Sequence, residues 1–105
     1  ISDTKPVITL DPSDIVASRN QPTDLRCRAT GSPKPKIYWL KDGRIVPTDG
    51  EDSENRRFIM PNGDLTFLRV INKKRKSDSG VYQCVAENSA GKAFSKNATL
   101  EVGGK

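Results

Sequence analysis

No stretch of this chain sustains a helical period. Short segments that alternate apolar and polar residues recur instead, each closed by Pro, Gly, Asn or Asp. A period of two puts successive side chains on opposite faces of a strand, and many such strands at short spacing are the mark of an all-β sandwich. Strands are expected at 7–10 and 15–18 (one edge strand broken by Asp11-Pro12), 23–29, 36–41, 44–46, 57–60, 64–70, 80–87 and 92–102. Asp42-Gly43 and Pro61-Asn62-Gly63 supply turns, and 48–55 reads as a polar, acidic loop. The alternation directs Leu25, Cys27 and Ala29 to one face, Ile37 and Trp39 to another, then Tyr82, Cys84 and Ala86, and last Phe94, Ala98, Leu100 and Val102. All of these are expected to point inward. No internal repeat is present.

Two core-facing cysteines in a two-sheet protein are well placed to bond across it. A Cys27–Cys84 bridge closes a loop of about 57 residues, worth roughly 4 kcal/mol in the chain-entropy account. The alternative is a pair of reduced, buried thiols, as in a cytosolic domain. The bridge helps because the core is thin: the chain is 33% hydrophobic and 30% charged, with a mean hydropathy of −0.65. Its 105 residues fit one domain, with a core over about 6–102 and Gly103-Gly104-Lys105 as a linker or tail. No apolar run approaches the roughly 18–20 residues of a membrane span. No leader segment is recognisable, so the expectation is a mature fragment or an excised domain.

The chain has no histidine, which removes the usual neutral-pH general base and any Ser–His or Cys–His pair. No Gly-rich phosphate loop appears, and two cysteines without histidine make a poor zinc site. The expectation is therefore no catalytic residue, no metal and no cofactor. Net charge is +5, with a pI near 9.4, which favours an anionic partner without choosing among nucleic acid, membrane and acidic polysaccharide. Part of that charge is concentrated in "INKKRKSDSGVYQC" (71–84), where Lys73, Lys74, Arg75 and Lys76 stand in a row before a strand that enters the core. Taken alone, the run is equally a solvated turn. It contains no aromatic residue to stack on bases, which argues against nucleic acid. A place inside a folded domain argues against a nuclear localisation signal.

The spacing Cys27…Trp39…Cys84, with Tyr82 two residues before the second cysteine in "DSGVYQC", resembles the immunoglobulin superfamily and its tyrosine corner. "GSPKPKIYWLKDG" and "AENSAGKAFSKNATLEV" are similar to the I-set. Seven residues separate Val70 from Asp78, where an ordinary I-set domain has only a few, so the insertion is basic and lies in the E–F loop. With "RRFIMPNGDLTFLRV", "SKNATLEV" and the opening "PVITLDPSDIVASRNQPTDLRC", it resembles the first immunoglobulin domain of Roundabout receptors. These are cell-surface axon-guidance receptors that bind secreted Slit and use heparan sulfate as co-receptor.

The resemblance implies an extracellular domain of a single-pass receptor that itself does not touch the membrane. It carries Arg19, Lys73, Lys74, Arg75 and Lys76 onto the heparan sulfate site. In such a sandwich the A′–B, C–C′ and E–F loops share one end; Arg19 sits in the first, and Lys41 and Arg44 flank the second. Slit would dock on the sheet containing strands B and E, at Leu10, Arg26, Arg28, Thr66 and Leu68. Thr66 departs from the family's usual aromatic residue there, and Arg26 from a neutral polar one. In similar domains the pair Arg57 and Asp78 forms a salt bridge. Asn97-Ala98-Thr99 is the only glycosylation sequon, and Asn97 is expected to face solvent. The other readings are a domain of another neuronal adhesion receptor, of the receptor tyrosine phosphatase type, and an intracellular structural module of a muscle protein.

Overall fold

The computed structural model describes residues 3–50, 56–74 and 76–103, and among them every regular element is a strand. One sheet runs β2 (Ile15–Ser18), β13 (Ala98–Gly103), β11 (Gly80–Asn88), β5 (Lys36–Lys41) and β6 (Arg44–Ile45), with β12 (Gly91–Phe94) also paired to β11. Facing it are β3 (Thr23–Leu25), β8 (Leu65–Phe67) and β7 (Arg57–Ile59), and β1 (Thr4–Leu10) on β4 (Arg28–Ser32). A hairpin of β9 (Asn72–Lys73) and β10 (Lys76–Ser77) stands apart from both.

The first strand does break at Asp11-Pro12. Proline lacks the N–H a ladder needs. Before the break β1 pairs antiparallel with β4; after it β2 pairs parallel with β13. The chain thus crosses from one sheet to the other. At the β5–β6 connection Asp42 and Gly43 have φ of 51° and 85°, the two left-handed positions of a two-residue hairpin turn whose twist matches its strands.

Between the sheets lie Leu25, Cys27, Trp39, Leu65, Phe67, Val70, Tyr82, Cys84 and Leu100, each no more than 1% exposed. Cys27 and Cys84 are bonded across this layer, with their Cα atoms 6.5 Å apart. Trp39 packs fully buried and donates its Nε1–H to the Gly63 carbonyl at 3.0 Å. Gly63 has φ of 102°, and a Cβ there would stand 2.8 Å from the Cys27 carbonyl oxygen, so the turn requires glycine twice over. Phe67 meets Tyr82 edge to face, ring centres 6.0 Å apart.

Two expected side-chain placements are corrected. Phe94 is 55% exposed, not inward. It pairs with Val85, whereas Ala98 pairs with Tyr82, so four steps along one strand match three along the other. That extra residue is a bulge, and it reverses the face of everything before it. Ser95 fills the bulge: its N–H donates to the Cys84 carbonyl, and its hydroxyl accepts the Cys84 N–H, both at 2.9 Å. The salt bridge to Asp78 also comes from Arg56 rather than Arg57. Arg57 holds the ladder position opposite Phe67. Arg56 precedes the ladder, where alternation does not govern direction, and its guanidinium runs inward to Asp78 at 2.7 and 3.1 Å.

Candidate functional site

The basic run is a built hairpin. Lys73 pairs with Lys76 and Asn72 with Ser77. Two like charges directly opposite disfavour such a ribbon, so something else must hold it. The anchors lie at its base. Ile71, 2% exposed, is buried beneath it. Ile71 donates its N–H to Asp78 Oδ2 at 2.8 Å, and Asp78 donates its own N–H to the Ile71 carbonyl at 2.9 Å. Asn72 Nδ2 reaches the Val102 carbonyl at 3.3 Å, and Lys41 Nζ reaches the Ser77 carbonyl at 2.6 Å. Lys73, Lys74 and Lys76 are left exposed above these bonds. Arg75 lies outside the described residues.

Arg19 belongs to the turn between β2 and β3. Its N–H donates to the Gly103 carbonyl at 3.1 Å. Asn20 donates to the Val70 carbonyl at 2.8 Å, and Val70 donates back to Gln21 at 3.0 Å. This turn is therefore bonded to the residue from which the hairpin departs. Arg19 and the hairpin lysines share one end of the sandwich, as the loop arrangement implied. Lys41 shares it too, through Ser77.

The structural floor of this end is acidic and aromatic. Asp78 receives Arg56 and the Ile71 N–H, while its carbonyl accepts the Tyr82 hydroxyl at 2.6 Å. Burial, and then the Asp78 carboxylate beside it, pushes the Tyr82 phenol well above its ordinary range. The Asp78 charge is balanced by Arg56 and is not offered to solvent: both side chains are within 3% of full burial.

The second candidate surface is the outer face of β3, β8 and β4. Leu68 is exposed at 55%, just past β8. Arg26 is exposed and Leu10 half-buried, and both line a shallow pocket with Asp24. Arg28 is less available than the sequence implied: its guanidinium is ion-paired to Asp64 and also donates to the Cys27 carbonyl. Thr66 stands opposite Asp24 on one side and Phe58 on the other. Phe58 was missed. Register brings it beside Thr66, so an aromatic side chain stands one strand away from that position. Only the pairing of β7 with β8 reveals this. Asn97 is exposed in the bulge segment, accessible to modification. Among the described residues, no group of three Cys, Asp or Glu side chains is placed to hold a metal ion.

A two-sheet antiparallel sandwich with a cross-sheet disulfide over a buried tryptophan, closed by a tyrosine corner, defines the immunoglobulin class. The chain belongs to the immunoglobulin domain family, whose model matches residues 5–88. It is 48% identical over 101 residues to Roundabout homolog 2 of Homo sapiens, an alignment covering 95% of this chain and 7% of that protein. The chain thus spans a small part of the curated relative it matches. Among solved structures, titin domain M7 superposes with a TM-score of 0.81 at 26% identity, covering 99% of both chains. The N-terminal Ig1-2 module of the Drosophila receptor protein tyrosine phosphatase DLAR gives 0.78 at 35% identity, covering 98% of this chain and 48% of that one.

Proposed function

We propose that the chain is an extracellular, ligand-binding immunoglobulin domain of a Roundabout-type axon-guidance receptor, and that it binds heparan sulfate through Arg19, Lys73, Lys74, Arg75 and Lys76. The observation that supports the reading is the main-chain bonding of the Arg19 turn to Val70, at the root of the hairpin. A sulfated polysaccharide needs charge density and donors on a rigid support, and this end supplies both. The 48% identity to Roundabout homolog 2, against 35% to the phosphatase module, favours the Roundabout type. The disulfide supports an oxidising compartment and speaks against a reduced muscle module; two titratable thiols in the native protein would reverse that preference.

The test is elution from immobilised heparin by rising salt. Replacing Lys73, Lys74, Arg75 and Lys76 by alanine is expected to lower the eluting salt strongly and leave thermal stability nearly unchanged. A charge-matched control replaces Lys5, Lys34, Lys36 and Lys92, all exposed. If both variants elute together, net charge alone drives retention and the hairpin is a solvated turn.

A second surface serves the protein ligand of the Slit type, through Leu10, Arg26, Arg28, Thr66 and Leu68. Its support is the exposed Leu68 beside Phe58 and Thr66. Leu68→Glu is expected to weaken Slit binding by about 1–3 kcal/mol, through loss of an apolar contact and burial of a charge. Equal binding of Slit by wild type and variant places the interface elsewhere.

A further inference from the structure

On the flank of the sandwich, between β6 of one sheet and the start of β7 in the other, a cleft of about 490 Å³ opens to solvent. Three cations line it: Lys41, Arg44 and Arg57. Ile45 and Pro47 form an apolar wall, and Ile45 is 67% exposed. Asp42 is the carboxylate among the lining residues, and its Oδ1 already accepts the Val81 N–H at 3.0 Å. Arg44 is exposed and has no ion pair among the described residues.

Lys41 links this cleft to the basic hairpin. Its chain crosses Gly80, where a Cβ would stand 2.8 Å from Lys41 Cε, and its ammonium lies on the Ser77 carbonyl. One such bond leaves an ammonium with further N–H donors. Ser77 is the strand partner of Asn72, and Lys76 that of Lys73. Cationic surface therefore continues from the hairpin through Lys41 to Arg44 and Arg57.

The geometry points to a second seat for the glycan here: a sulfated uronate-containing sugar, its anionic groups on Arg44 and Lys41 and its ring face on Ile45 and Pro47. This inference rests on the heparan sulfate reading and extends that site around the flank of the sandwich. An added peptide strand fits less well. Among the described residues β6 ends its sheet and is only Arg44–Ile45, two residues long, so it offers few main-chain bonds for strand addition.

The experiment is a titration of the intact chain with a heparin-derived oligosaccharide, with poly-glutamate as a second probe. Ile45→Ala changes no charge and is expected to weaken oligosaccharide binding about 3-fold, the scale of losing burial of about one methylene group from a half-covered side chain. Arg44→Ala is expected to weaken it roughly 5- to 10-fold, the scale of a charged contact at an interface. Lys92→Ala, equal in charge change and remote, is expected to do less than Arg44→Ala. If Ile45→Ala and Arg44→Ala bind as wild type while the hairpin variant still loses binding, the cleft seats no sugar and the heparan sulfate reading stands. If the hairpin variant binds as wild type too, that reading fails as well. If both cleft variants weaken poly-glutamate as much as the oligosaccharide, the cleft takes an acidic peptide and the sugar assignment is overturned.

Discussion

Arg56 is 1% exposed, and its guanidinium touches Asp78 at 2.7 and 3.1 Å and the Arg69 carbonyl at 2.9 Å. Two charges taken out of water survive only because each is met by the other and by main-chain groups. Removing one partner leaves the other buried and uncompensated, at about 3–5 kcal/mol. Arg56→Met is expected to cost that much in urea denaturation, and Arg56→Met combined with Asp78→Asn to cost less than the single variant. A loss below about 1 kcal/mol for Arg56→Met, the range of an exposed pair, would show that the bridge adds little. A carboxylate before the tyrosine corner with a cationic partner near the start of β7 was legible in the sequence. Which of two adjacent arginines it meets was not, because the choice turns on where the ladder begins.

Alternation located the strands that sit deep in a sheet: β5 runs over 36–41 and β11 over 80–88, close to their expected bounds. It failed where hydrogen-bond partners change. The expected strand 92–102 is two strands, because Ser95 interposes a side-chain acceptor and a bulge. The expected strand 23–29 is also two, since β3 pairs with β8 while β4 pairs with β1. The sequence places the basic insertion in a loop, and the structure makes it a short ribbon. No local pattern in "NKKRKS" favours a strand, and its repelling lysines oppose one. It forms because Ile71, Asp78, Lys41 and Val102 fix both ends of it from outside. For the same reason the candidate site was half legible. The cations and their crowding were visible in the chain, while their support and the cleft beside β6 required strands distant in sequence.

At the scale of the whole molecule, Tyr82 ties stability to pH. Its hydroxyl is buried on the Asp78 carbonyl, and its folded-state value is raised. An unfolded tyrosine ionises near pH 10, whereas the folded one keeps its proton. Above that pH the unfolded state binds fewer protons than the folded one, so stability falls as pH rises. The contribution is complete below about pH 10 and is lost as pH climbs from there through the raised folded value. Tyr82→Phe is expected to be less stable at pH 7 by about 1 kcal/mol, the worth of one buried hydrogen bond. It is also expected to lose less than wild type between neutral and strongly alkaline pH. Parallel melting-temperature profiles for the two proteins would remove Tyr82 as the cause. The sequence by itself determined the immunoglobulin class, the inward placement of Cys27 and Cys84 toward one another, and the presence of a concentrated basic segment. Each is written in local spacing: a period of two, a cysteine–tryptophan–cysteine interval, a run of like charge. Tertiary structure alone decided that Arg56 meets Asp78, that Phe94 turns outward, that Phe58 stands beside Thr66, and that the turn holding Arg19 is bonded to Val70 at the root of the hairpin. These depend on register and on bonds between strands far apart in the chain, and a shift of one residue in pairing reverses the face that every side chain presents.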